Sequence, residues 1–402
     1  MEKKKQKFKQ TEIGKIPEEW EEGELITYLD LLKDGTHNPP KRVSKGIKFI
    51  AGASDLTYKN INFSKCTFIT KEEYNKIHKF YELKEGDILL TIVGTIGNVA
   101  IVKKENLPFS LQRSIAILRT KKELDNNYLF YFITSSIFRN QLFSKINPTA
   151  QPGIYLGELG KIRISFPKSP KEQLSIASIL SSLDEKIELN NKMNKTLEVI
   201  GQAIFKKWFI DEKKENLEIR KFGDLIKRNK EQIQNKESWD NEYLIDLSNM
   251  PQFSMSIVNF DKGSKFSSNI FKLNEYDILF GSIRPYFGKY GFSPINGVIT
   301  GTIFSFLPKD KDDYAFCLFN ICRKEFVEYT VAQSKGTKMP IIGWSEFQNY
   351  TVKYNKVLSK KFNDLIFPLI KEIKLNINQN QTLSSIRDAL LPKLMSGEIR
   401  VK

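Results

Sequence analysis

The sequence predicts an α+β protein built as an internal repeat, in which two tandem domains alternate with two long coiled-coil helices. Three observations predict this organisation. The chain has 402 residues, similar segments recur about 190 residues apart, and two long segments carry apolar residues at an average spacing of 3.5. The predicted boundaries place the domains at 1–167 and 213–356, and the helices at 168–212 and 357–402.

The repeat is visible in predicted strands and in predicted helices. LKEGDILL at Leu83–Leu90 aligns with LNEYDILF at Leu273–Phe280, at an offset of 190. Leu183–Phe209 aligns with Leu369–Met395 at an offset of 186, and ten positions carry the same residue. Chance similarity between two amphipathic helices would reproduce the Leu and Ile positions, but not two Asn and a Thr. We therefore infer a duplication.

The helical segments carry a coiled-coil seam, a row of residues spaced alternately four and three apart. The seams run from Ile176 to Trp208 and from Phe362 to Leu394. Polar residues interrupt both seams at matching places and would fix register and partner, so the simplest arrangement pairs the helices with each other. These residues are Asn190, Asn194, Asn376 and Asn380. Pro368 predicts a kink or a short preceding helix, because proline removes a backbone donor.

Within each domain, short strands alternate with short helical patterns. Ile88–Gly94 and Gly301–Leu307 are typical of strands, whereas Asn126–Phe143 and Tyr314–Tyr329 have helical patterns. Each domain is therefore predicted to be α+β.

The composition indicates a polyanionic partner. A formal net charge of +16 and a pI of about 9.4 favour DNA or an anionic membrane, although an AT-rich genome would also enrich lysine. No stretch approaches ~18 consecutive apolar residues, so we expect a cytoplasmic protein without a membrane span. The three cysteines lack zinc-site spacing and are expected to be buried free thiols; they are Cys66, Cys317 and Cys322.

Two segments resemble type I restriction-modification specificity subunits. ISFPKSPKEQLSIASILSSLDEKI at Ile164–Ile187 resembles the passage from the first target recognition domain into the central helix, and LLPKLMSGEIRV at Leu390–Val401 resembles the family's chain end. Together with the duplication, the resemblance covers essentially the whole chain. It implies two target recognition domains separated by two long antiparallel helices with pseudo-two-fold symmetry.

The resemblance also implies the function and the partners. Each recognition domain would read one half of a split double-stranded DNA target. Two modification subunits would carry S-adenosylmethionine and methylate adenine at N6, and a restriction subunit, where one is present, would use ATP and Mg to cleave. This chain would then contain no cofactor, no metal and no catalytic site. An autonomous DNA methyltransferase or endonuclease of similar domain plan is the alternative.

One motif bears on that alternative. Asn38, Pro39 and Pro40 suggest the adenine methyltransferase motif, but Lys41 stands where an aromatic residue would stack on the flipped base. The chain also lacks a glycine-rich loop that could hold a methyl donor.

His78 lies in a polar stretch and is expected to be a solvated surface residue.

The candidate DNA contacts lie in loops. We define the strand-end turns as Gly94–Asn98 and Gly281–Lys289, and the late loops as Asn147–Gly153 and Ser334–Pro340. The first pair and the second pair each correspond through the repeat. Arginine and amide side chains suit base edges, and lysines suit phosphates. The predicted contacts are His37, Lys41, Arg42, Thr95, Asn98, Gln112, Arg113, Gln151, Ser282, Arg284, Tyr286, Lys289, Lys335, Thr337 and Lys338.

The helices carry further apolar residues off the seam. A bare pair of helices would leave this second stripe exposed, so we expect it to bind the modification subunits. The predicted partner-binding residues are Ile179, Leu189, Ile200, Phe205 and Phe209.

Overall fold

The computed structural model describes residues 7–147, 152–211, 217–235, 237, 239–266 and 269–401. Short strands and short helices make up most of both of its compact units. Unit 1 comprises the chain up to Leu183 together with the segment from Ser385 onward, and unit 2 comprises Asp184–Ser384. Both divisions fall inside predicted long helices. The predicted limits of the recognition domains therefore stay predictions.

The first part of the chain forms these strands: β1 (Phe8–Thr11), β2 (Gly14–Pro17), β3 (Trp20–Glu24), β4 (Leu29–Asp34), β5 (Arg42–Val43), β6 (Ile47–Ile50), β7 (Leu56–Thr57), β8 (Asn60–Ile61), β9 (Thr67–Ile69), β10 (Ile88–Thr91), β11 (Val99–Ile101), β12 (Phe109–Leu111), β13 (Ile115–Thr120) and β14 (Arg163–Pro167). Its helices are α1 (Lys71–Ile77), α2 (Asn126–Thr134), α3 (Ser136–Ser144), α4 (Leu156–Gly160) and α5 (Pro170–Lys206).

The remainder forms these strands: β15 (Glu218–Lys221), β16 (Ile226–Asn229), β17 (Tyr243–Ile245), β18 (Asp261–Lys262), β19 (Ile270–Leu273), β20 (Ile278–Gly281), β21 (Tyr290–Phe292), β22 (Gly297–Thr300), β23 (Ile303–Pro308) and β24 (Thr351–Tyr354). Its helices are α6 (Phe222–Leu225), α7 (Tyr314–Ile321), α8 (Lys324–Ala332), α9 (Trp344–Gln348) and α10 (Lys356–Met395). The α+β class is confirmed.

The central sheets of the two units have the same topology. Their strand orders are β11-β10-β13-β4 in unit 1 and β21-β20-β23-β16 in unit 2, and the paired strands are antiparallel. The register also repeats, because Ile88 pairs with Leu118 as Ile278 pairs with Phe306. The duplication seen in the sequence is therefore present in the topology.

Both central sheets are buried on two faces. Ile88 and Leu90 pack into one apolar cluster of unit 1, whereas Leu89 between them belongs to a second cluster. In unit 2, Ile278 and Leu279 divide between two clusters in the same way. Since side chains alternate along a strand, a continuous apolar run such as ILL fits a strand covered on both sides.

Each predicted short helical pattern forms two helices instead of one. In unit 1 the break falls at Ser135, whose backbone is extended. Its hydroxyl accepts a hydrogen bond from the amide of Phe138 and so caps the start of α3. In unit 2 the break falls at Arg323, which is also extended. Helical periodicity continues across both breaks, which is why the sequence pattern does not reveal them.

The long helices are continuous and paired. α5 begins at Pro170, where a missing amide proton is tolerated, and α10 runs without interruption through Pro368. The expected short preceding helix is therefore wrong. Within unit 2, Asn190 Nδ2 donates to Asn380 Oδ1 at 2.8 Å, and Asn376 Nδ2 donates to Asn194 Oδ1 at 2.9 Å. The pairs run in opposite directions along the two helices, so the helices are antiparallel there.

Candidate nucleic-acid interface

In unit 2 the backbone joins the strand-end turn to the late loop. The amide of Arg284 donates to the carbonyl of Pro340 at 2.7 Å. Lys335 and Ile341 exchange two hydrogen bonds of 3.0 and 2.9 Å, which close the late loop into a narrow turn. The two predicted loops therefore form one surface, which we call the loop cradle of unit 2.

Unit 1 has the same loop cradle. The amide of Gly94 donates to the carbonyl of Pro152 at 3.0 Å, and the amide of Asn147 donates to Gly153 at 3.0 Å. Gly94 corresponds to Arg284 through the offset of 190, and Pro152 corresponds to Pro340 through the offset of 188. The hydrogen bond from the turn to the late loop, and one hydrogen bond across the late loop, therefore recur in both units.

The cradle of unit 2 presents exposed cationic and aromatic side chains. Arg284 is exposed on a left-handed backbone with φ 48° and ψ 59°, and Tyr286 beside it is 44% exposed. Such a non-glycine backbone is disfavoured, and residues held in one often have a functional role. Three further predicted contacts are exposed in the late loop: Lys335, Thr337 and Lys338.

Two predicted contacts of unit 2 support the cradle internally. The Ser282 side chain is buried, and its hydroxyl donates to the carbonyl of Thr302 at 2.7 Å. Lys289 is half-buried, and its ammonium group donates to the carbonyl of Leu247. The sequence correctly placed both residues in the turn, but it did not show that their side chains face the protein interior instead of solvent.

In unit 1 the cradle borders a cleft of about 490 Å³. His37 and Arg113 line this cleft together with Asp34, Asn147 and Tyr155. Arg113 is exposed, and His37 Nε2 lies 2.8 Å from the Asp34 carboxylate. The cleft thus gathers a guanidinium, an imidazole and a carboxylate, which are groups that hydrogen-bond base edges.

The other described contacts predicted for unit 1 are not among the residues that line this cleft. Thr95 is exposed, while Asn98 and Gln112 are half-buried. Lys41 and Arg42 are exposed, and the Arg42 guanidinium lies 3.8 Å from the centre of the Phe49 ring. Gln151 lies outside the described residues.

The predicted partner stripe on α5 is partly wrong. Leu189 and Ile200 are 53% and 42% exposed, as expected, and Ile179 is half-buried. Phe205 and Phe209 are only 3% and 1% exposed, so they are not part of an exposed stripe. Both rings pack against aromatic residues of the unit 2 core, among them Phe316 and Phe362.

The exposed stripe is itself repeated. On α5, Leu189 and Ile200 are 11 residues apart and share one helix face with Thr196 between them. On α10, Leu375 and Ile386 have the same spacing and are 61% and 43% exposed. The residues correspond at the offset of 186, so the chain presents two equivalent apolar rows, which we call the helix stripes.

Among the described residues, no cluster of histidine, cysteine and carboxylate side chains is suited to hold a metal ion. All three cysteines are free, and burial raises the pKa of the Cys317 and Cys322 thiols well above the usual range, while Cys66 is half-buried. His78 is buried, not solvated as expected, and desolvation lowers its pKa. In the described part of the chain, no helix is long and apolar enough to cross a membrane.

Comparison with known proteins agrees with this arrangement. The family model described as "Type I restriction modification DNA specificity domain" matches residues 2–199. The type I restriction enzyme MjaIX specificity subunit of Methanocaldococcus jannaschii is 27% identical over 430 residues, covering 98% of this chain and 97% of the relative. Residues 2–199 belong to the family of type I restriction-modification specificity domains.

Other specificity subunits are similar over part or all of the chain. The MjaVIII specificity subunit of the same organism is 29% identical over 202 residues, which cover 49% of this chain and 47% of the relative. The crystal structure of an S subunit from M. genitalium covers 94% of this chain and 96% of its own, with a TM-score of 0.59 and 18% identity. At that identity, the likeness supports the fold.

Sequence reasoning missed two polar side chains that lie near the cradles. Asp34 precedes the predicted contact His37 by three residues, and their pairing was not foreseen. Glu198 interrupts the apolar side of α5 and is buried in unit 2. A carboxylate beside seam residues is the signal that could have identified Glu198, since burial requires hydrogen-bond partners.

Proposed function

We propose that the chain reads a split double-stranded DNA target, with one half contacted by each loop cradle. The observation that carries this proposal is the recurrence of one cradle in both units. Arg284 is exposed within the cradle of unit 2, and Arg113 is exposed in the cleft that borders the cradle of unit 1. Arginine can bond bidentately to the major-groove edge of guanine, and the net charge of +16 favours phosphates.

The test is selection from a randomised DNA library with the full chain bound to its modification subunits. A split consensus with a fixed gap is the expected result. Arg284→Ala should relax one base position in one half-site only, and lower cognate affinity by roughly 1 to 3 kcal/mol. Lys338→Ala is the matched control, because loss of a phosphate contact weakens all sequences similarly and reduces the salt slope by about 1. An unsplit consensus would overturn the proposal.

The chain acts, in this proposal, without a catalytic site or cofactor of its own. Modification subunits supply S-adenosylmethionine and methylate adenine at N6, and a restriction subunit, where one is present, supplies ATP-driven and Mg-dependent cleavage. The lysine after Asn38–Pro40 supports this division, since it removes the aromatic platform for a flipped base. Labelled S-adenosylmethionine incubated with DNA and the chain alone should give no methyl transfer, and methylation by the chain alone would refute it.

Two modification subunits would dock on the two helix stripes. Because the two helix stripes have the same spacing of apolar residues, we expect each stripe to bind one copy of the same partner. Leu189→Glu and Leu375→Glu should each reduce the number of bound modification subunits from two to one. Val199→Glu is the matched control, since Val199 is 56% exposed but lies about 100° round the helix from Ile200. Equal loss of binding in all three variants would contradict this docking.

A further inference from the structure

Helix α5 carries a buried carboxylate where it packs in unit 2. Glu198 is only 5% exposed and accepts hydrogen bonds from the Ser254 hydroxyl at 3.0 Å, from the Met255 amide at 3.3 Å and from the Ser256 hydroxyl. Burial raises the pKa of this carboxyl group, and the three hydrogen bonds oppose that rise. A buried carboxylate is stable only with such partners, so Glu198 fastens the segment 254–256 to the helix.

The residue that precedes this segment, Phe253, contacts the strand-end turn of unit 2. The amide of Phe253, which precedes Ser254, donates to the carbonyl of Gly288 at 2.8 Å. Gly288 has a φ of +56°, and a Cβ placed there would lie 2.5 Å from the Phe253 ring. The ring therefore packs against the bare glycine backbone at the end of the turn that holds Arg284.

This turn needs external support. Phe253 and Arg284 are both non-glycine residues with positive φ, at 53° and 48°. Such conformations are disfavoured for residues with a Cβ and persist only where surrounding contacts impose them. On one side, Phe253 contacts the turn at Gly288, and Glu198 bonds the segment 254–256 that follows Phe253. On the other side, the carbonyl of Pro340 in the late loop accepts from the amide of Arg284.

We propose that Glu198 is a positioning residue for DNA recognition by unit 2. It does not touch DNA; it holds the segment 254–256, so that Phe253 fixes the turn and the direction of the Arg284 side chain. This inference rests on the proposed function for its consequence on DNA, but not for the positioning itself. The repeat places Ser384 of α10 at the position of Glu198, so the matching position of the second long helix carries no carboxylate.

The positioning is tested without DNA by hydrogen exchange on the full chain. Glu198→Gln removes the carboxylate and turns an amide donor toward the serine hydroxyls. The Phe253 and Gly288 amides should then exchange roughly 3- to 10-fold faster, while the Gly94 amide in the other cradle should not change. Glu185→Gln, an exposed site on the same helix, is the matched control. Unchanged exchange at Phe253 and Gly288 would overturn the positioning.

The consequence for recognition is tested on the complex with modification subunits. Glu198→Gln should lower discrimination between cognate and substituted bases roughly 3- to 10-fold in the unit 2 half-site, and leave the other half-site unaffected. Equal loss on both half-sites and on random DNA would mean general destabilisation and would overturn the inference. Ser256→Ala, a milder change at the same hydrogen bond, should give the same half-site pattern if Glu198→Gln does not fold.

The failure of this inference differs from the failure of the proposed function. If the unaltered complex selects a split site and Glu198→Gln keeps both its amide protection and its discrimination, only the positioning role is wrong. If the unaltered complex selects no split site while exchange at the turn still accelerates in the variant, the positioning holds and the proposed function is wrong.

Discussion

Replacing Arg284 with glycine should separate the stability of the turn from its function. Arg284 has a left-handed backbone, and its counterpart in unit 1 is Gly94, with φ +78°. A Cβ in that conformation costs about 1 to 2 kcal/mol, whereas glycine loses about 0.5 to 1 kcal/mol through its greater freedom in the unfolded chain. Arg284→Gly should therefore be about 0.5 to 1 kcal/mol more stable than Arg284→Ala, although both variants lack the guanidinium.

Two measurements check this expectation. Denaturant unfolding compares the free energies of the two variants, and binding to cognate and random duplexes compares their DNA recognition. Both variants should lose roughly 1 to 3 kcal/mol of cognate affinity, or about 5- to 150-fold. Cognate affinity retained by Arg284→Gly would refute base reading by Arg284. A glycine variant less stable than the alanine variant would refute the assignment of strain to this backbone.

Three further substitutions test the packing of the long helices, each by denaturant unfolding. Asn190→Ala should cost about 1 to 3 kcal/mol because Asn380 Oδ1 loses its donor, and a neutral result would show that the Asn pair is unimportant for stability. Gly201→Ala should cost about 1 to 3 kcal/mol, since a Cβ would overlap the Phe319 ring; wild-type stability would contradict that contact. Phe205→Ala should lower the free energy of unfolding by about 3 to 5 kcal/mol, because the ring is buried in the core. A decrease below about 1 kcal/mol would show that Phe205 is an exposed residue of the stripe.

The sequence predicted those parts of the fold that depend on the regular spacing of apolar residues and on the internal repeat. Asn190 and Asn194 interrupt a regular seam at places that recur in the second copy, and the structure pairs them with Asn380 and Asn376. Strand Ile88–Thr91 was recognisable because a short apolar run recurs 190 residues later. Local periodicity and a shared offset were sufficient in both cases.

The unpredicted parts depend on neighbours that are distant along the chain. Phe205 and Phe209 continue the helical pattern of α5, but the core of unit 2 covers them. Lys289 lies in the predicted turn, yet its ammonium is engaged by the carbonyl of Leu247, which is 42 residues away. Glu198 reaches a segment 56 to 58 residues along the chain. Periodicity identifies an apolar or polar position, but it does not identify the tertiary partner.

If this chain selects a DNA target in two halves, one for each loop cradle, the methylation pattern of the genome should record both halves. The most direct measurement is a genome-wide map of N6-methyladenine with the gene present, with the gene absent, and with Arg284→Ala in its place. We expect a split motif that vanishes with the gene and loses selectivity at one position of one half in the variant. A motif that persists without the gene, or that is continuous instead of split, would contradict it.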